Sequence, residues 1–180
     1  MKTSQPLAQP EPPEPAEPLA LARIAAAINF LQSQSQFNNI IIAEGIGAAR
    51  SIDFLQSLAT TPSLIDSVPA DINLQYPVRA LVLINAEHHL KERPELDVPQ
   101  GLAALPIPIL DIHTHQFNRD FVNAKRQLAM RKKALATSEV PVYVERTVQN
   151  ASIDQKGEHR LTRVIRGFLY QHAQGTKDTR

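Results

Sequence analysis

The chain has 180 residues, 43% of them hydrophobic, enough for one domain with a substantial core and short of two. It has no cysteine, which excludes disulfides, thiolate catalysis and cysteine-ligated metals. A formal net charge of +1 speaks against a dedicated nucleic-acid binder, and no run of about 18 apolar residues is present to span a membrane.

Residues 1–17 carry prolines at 6, 10, 12, 13 and 15 among Glu, Gln and Ala. Proline fixes φ and donates no hydrogen bond, so this segment is expected to be an extended, disordered arm or linker. Met1 and Lys2 are followed by polar residues rather than an apolar core segment, so the chain as given carries no secretory signal. The folded domain is expected over residues 18–172, with a disordered tail at 173–180.

Leu21, Ile24, Ala25, Ile28 and Leu31 recur at helical spacing and predict a helix over residues 18–34. After a turn at Asn38 and Asn39, Ile40-Ile41-Ile42-Ala43 is a continuous apolar run, the pattern of a strand buried on both faces inside a parallel sheet. Gly45 and Gly47 end it. Ala48, Ala49, Ile52, Phe54, Leu55 and Leu58 then support a second helix.

Val78 to Asn85 and Pro106 to His113 read as two further buried strands. Phe121 to Leu135 reads as a helix with Phe121, Ala124, Leu128 and Ala129 on its inner side. The basic run Lys125, Arg126, Arg131, Lys132 and Lys133 then forms its solvated face. Pro141 to Val148 alternates and predicts a last, more exposed strand; Leu161, Val164, Ile165, Phe168 and Leu169 make the final helix. Strands alternating with helices imply an α/β fold, here a three-layer sandwich around a short, mostly parallel sheet of about four strands. Ligands in such folds collect at the carboxyl ends of the strands.

The turn Ala43-Glu44-Gly45-Ile46-Gly47 joins a buried strand to a helix. A nucleophile elbow needs small residues two before and two after the nucleophile, and Ala43 and Gly47 meet that need. The nucleophile position holds Gly45, which tolerates the tight turn but has no reactive atom. A dinucleotide fingerprint requires Gly or Ala where Arg50 stands, so that reading fails. Gly45, Ile46 and Arg50 remain candidates for holding a ligand at the helix start.

With IIIAEGIGAARSIDFL, VRALVLIN and HRLTRVIRGFL, the chain resembles the C-terminal half of the α/β-hydrolase fold, in an uncharacterised bacterial branch of that family. The resemblance covers roughly residues 18–172. It implies a cleft above the turn and an ancestral esterase-like activity, and, for a fragment of a longer precursor, export to the periplasm. The triad is degenerate. The family acid should follow the third strand, where Asp120 is the nearest carboxylate, and the family histidine should follow the last strand, where His159 comes late. The chain is therefore expected to be a non-catalytic domain that binds a partner or small ligand and needs no cofactor. The family's strands before the elbow strand are missing. The exposed edge at Ile40–Ile42 is thus expected to be covered by a second copy, by the arm or first helix, or by strands upstream.

The alternative is a metal-assisted hydrolase. His88-His89 and His113-Thr114-His115 follow two predicted strands at one edge, near Glu44 and Glu87, and imidazoles grouped with carboxylates suit zinc or another divalent ion. Asp111-Ile-His113-Thr-His115 also matches the D-x-H-x-H strand of amidohydrolase barrels. Those barrels need about 250 residues, with the motif on their first strand.

Overall fold

The computed structural model describes residues 16–60, 77–87, 93–94, 96–115, 129–136, 141–149 and 159–173. In chain order these form α1 (Ala16–Ser33), β1 (Ile40–Glu44), α2 (Ile46–Thr60), β2 (Ala80–Ile84), α3 (Val98–Ala103), β3 (Ile109–His115), α4 (residues 129–135), β4 (Tyr143–Gln149) and α5 (Arg160–His172). The four strands make one all-parallel sheet in the order β1-β2-β3-β4, an α/β fold. Of the expected Pro-rich arm at 1–17, residues 1–15 lie outside the described residues and the last two open α1, and all of the expected tail but Ala173 lies outside them.

Strand alternation splits the core into two layers. Leu81, Leu83 and Ile109 face one way, and Ala48, Ile52, Phe54 and Leu55 of α2, Val98 and Leu102 of α3, and Ala25 and Ile28 of α1 cover them. Ala80, Val82, Leu110 and Ile112 face the other way, against Phe168 and the apolar side of α5. Consecutive parallel strands joined by right-handed crossovers place their connecting helices on one face, so the helix after the last strand is left to cover the opposite one.

Local chemistry sets the boundaries. Pro18 sits in the first turn of α1, where the missing N–H costs nothing. The helix stops where Ser35 takes a left-handed φ of 59° and Gln36 N donates back to Leu31 O at 2.9 Å. Asp97 caps α3, its Oδ1 accepting from Gln100 N at 3.1 Å. This short helix was not anticipated; the Asp-x-Pro start at Asp97-Val98-Pro99 is its signal. Gly101 packs against α2 so closely that a Cβ there would lie 2.7 Å from Ile52 Cγ2.

Two expectations change. Among the described residues β1 is the outermost strand rather than an interior one, and Ile42 is 54% exposed. Leu21 and Ile24 of α1 pack against the same core layer as Ile41 and Ala43, with α1 lying on α2 and α2 on β1. Nothing among the described residues pairs with the strand's outer side. The second change is Arg131, expected on a solvated face and found fully buried, while Ala129, expected inside, is exposed. A buried carboxylate on β3 explains the inversion, because a charge taken out of water needs a counter-charge.

Candidate functional site

The expected turn is present at the carboxyl end of β1. Gly45 has φ 55°, a conformation that side chains other than glycine's disfavour. Its N–H donates to Ile84 O at 2.9 Å, and its carbonyl accepts from Ala48 N and Glu87 N at 3.2 Å each. A Cβ at Gly45 would meet only Glu87 Oε1, at 3.9 Å, so space is available and the backbone is the constraint. Ala43 is half-buried in the layer beneath α2, Glu44 and Ile46 are exposed, and Gly47 has open space around it. Arg50 sits partly buried one turn into α2.

The neighbouring strand end is equally constrained. Asn85 adopts φ 48° and its side chain clasps β3: Nδ2 donates to Thr114 Oγ1 at 2.6 Å, and Oδ1 accepts from Thr114 N at 2.8 Å. Two adjacent strands thus end in left-handed residues, fixing the carboxyl edge of the sheet. Asn tolerates this region because its short amide can bond locally.

Beneath that edge lies a polar cluster. Asp111, on the α2 side of β3, is completely buried. Its Oδ2 accepts from Arg131 Nη1 and from Tyr143 Oη, the latter at 2.7 Å. Arg131 Nη2 donates to Ala86 O at 2.6 Å, tying α4 to the segment after β2. His113 Nε2 lies 3.6 Å from Asp111 Oδ1. That exceeds hydrogen-bond reach, and neither atom has a hydrogen-bond partner among the described residues.

Burial alone would raise the Asp111 pKa. The His113 ring beside it and the charge and hydrogen bonds of Arg131 outweigh burial and lower it from 3.8 to about 2. Tyr143 moves the other way: burial and the adjacent Asp111 carboxylate both hold the phenol protonated. The carboxylate is therefore ionised and neutralised in place.

Glu44 and Glu87 are exposed beside the turn. His113 and His115 lie two residues apart on β3. His88, His89 and Asp120 lie outside the described residues. No group of three or more potential metal ligands occurs among the described residues. His159 precedes α5, exposed and making no capping hydrogen bond through its side chain. Arg131 and Tyr143 were missed as site residues because nothing local distinguishes them: one lay in a basic run and the other in an alternating strand.

A family model described as "Protein of unknown function (DUF3530)" matches residues 1–171. The chain belongs to that family. Neither the curated proteins nor the solved structures contain a match to it. In this DUF3530 chain the match takes in all four strands, the turn at Gly45 and the Asp111–Arg131–Tyr143 cluster. Among the described residues of the DUF3530 domain, no helix is long and apolar enough to cross a membrane.

Proposed function

We propose that this domain is a non-catalytic, α/β-hydrolase-like module that acts by binding a partner. The observation that carries this reading is Gly45. The tight strand-to-helix turn is in place, in a conformation that suits glycine, and no nucleophilic atom stands on it. The buried carboxylate supports the same reading. Asp111 Oδ2 is taken up by Arg131 and Tyr143, and His113 Nε2 stands 3.6 Å from Oδ1, beyond hydrogen-bond reach. Binding is favoured at β1, whose outer backbone groups and Ile42 lack a covering element among the described residues, rather than at the ligand-holding positions Gly45, Ile46 and Arg50. Steady-state assay with p-nitrophenyl acetate tests the reading: the expected rate equals that of buffer, and saturable turnover sensitive to a serine-directed inhibitor contradicts it.

A second reading, a metal-assisted hydrolase, draws support from His113 and His115, two residues apart at the carboxyl end of β3. It requires the chain to copurify with near-stoichiometric metal and zinc to raise its melting temperature. Metal far below one per chain, with no thermal shift, removes it.

A further inference from the structure

The two edges of the sheet are built differently. The β4 edge carries Glu145, Arg146 and Thr147, with Glu145 Oε2 held by Lys132 Nζ at 2.7 Å. Charges of this kind discourage strand addition. The β1 edge carries three isoleucines and no charge before Glu44.

Backbone direction at β1 is fixed by Gly45, whose N–H points to β2. Strand alternation then turns the N–H and C=O groups of Ile41 and Ala43 toward β2 and those of Ile40, Ile42 and Glu44 outward. Side chains alternate in the same rhythm. Ile41 and Ala43 join the α2 layer, whereas Ile40 and Ile42 face α5. On that face an open groove runs between β1 and α5, lined chiefly by Ile40, Ile42, Ile165, Arg166, Leu169 and Tyr170. Tyr170 is 70% exposed. The groove lining contains no acid, and α5 itself holds Arg160, Arg163 and Arg166 without a carboxylate.

We infer that β1 pairs antiparallel with β1 of a second copy about a two-fold axis at Ile42, bringing the partner's Glu44 beside Ile40 at the apolar groove that Arg166 lines. The inference rests on the binding reading above and names its partner. This register opposes Ile42 to its own counterpart and Ile40 to the partner's Glu44. All of these residues turn their backbone groups outward, so each opposed pair exchanges two hydrogen bonds. Opposed residues in an antiparallel pair share a face, with Cβ atoms about 5 Å apart. Glu44 of the second copy therefore lies on the α5 side, where Arg166 lines the groove. By symmetry the pairing occurs twice, and the exposed apolar surface of Ile42 is covered. The chain carries its own complement: an acid at the end of β1 and a basic helix over its start.

Size-exclusion chromatography with light scattering, combined with charge reversal, tests this. The protein is expected to elute at twice its 20.0 kDa chain mass at micromolar concentration. Glu44→Arg or Arg166→Glu, both at exposed positions, should each weaken the dimer about tenfold or more, and the double reversal should restore it. Ile42→Lys should give a folded monomer. Hydrogen exchange on the unmodified protein supplies an independent readout, with the Ile42 and Glu44 amides slowing as concentration rises. A monomer at all concentrations, or a dimer indifferent to either reversal, overturns the inference. A monomer that also lacks esterase activity rejects the dimer alone. A dimer that turns over p-nitrophenyl acetate rejects the non-catalytic reading alone.

Discussion

Arg131 of α4 and Asp111 of β3 form an ion pair in which neither side chain reaches solvent. Removing one partner strands the other charge in the interior. Arg131→Met should lower stability by about 3–5 kcal/mol. Adding Asp111→Asn to it should recover a large part of that loss, because the unpaired charge is gone. Urea denaturation of the single and double variants measures both. Losses for Arg131→Met within about 1 kcal/mol would contradict an essential pairing.

Stability should fall in acid because of the same pair. Asp111 has its pKa lowered from 3.8 to about 2 by folding. A carboxyl depressed in the folded state stabilises it above the unfolded pKa. That contribution, about 2 kcal/mol, is complete above pH 4 and disappears as pH falls from 4 to 2. Denaturation midpoints across this range should show the loss, and Asp111→Asn should remove that part of the acid dependence. An unchanged acid limb in the variant would assign the loss to other carboxyls.

Tyr143→Phe removes one donor to Asp111 Oδ2, and so should cost about 1–3 kcal/mol. In alkali the sign reverses. The phenol pKa is raised by folding, so its contribution is present below the ordinary value of 10.0 and fades above it. Spectrophotometric titration should find one of the three tyrosines ionising only as the protein unfolds. Three tyrosines ionising together near their ordinary value would show that the phenol is not buried against a carboxylate.

The glycines Gly45 and Gly101 separate backbone strain from steric crowding. Gly45→Ala has room but must hold φ 55°, a cost of about 1–2 kcal/mol. Gly101→Ala has an ordinary helical backbone but drives a methyl into Ile52 and Gln56, a cost of about 1–3 kcal/mol. Gly45→Ser should also yield no esterase, because a nucleophile without a positioned base stays inactive.

Much of the layout was legible because parallel strands buried on both faces write themselves as continuous apolar runs. β1, β2 and β3 fall on such runs, β4 falls on an alternating segment, and the turn at Gly45 falls where the first run ends. What escaped depended on three-dimensional partners. Arg131 sits among lysines that do face solvent, and only the buried Asp111 one strand away decides its direction. The apolar run of β1 has the composition of an interior strand, and composition alone does not tell that from the outermost position β1 takes among the described strands. The four-histidine edge rested on adjacency of β2 and β3, which the sheet order provides. His88 and His89 lie outside the described residues, and His113 is turned toward Asp111.

The central claim, that the turn at Gly45 carries no working nucleophile, is tested most directly by intact-mass spectrometry after exposure to a fluorophosphonate, which labels activated serines covalently. An unshifted mass is expected at every incubation time. A single stoichiometric adduct, lost on prior denaturation, would contradict it.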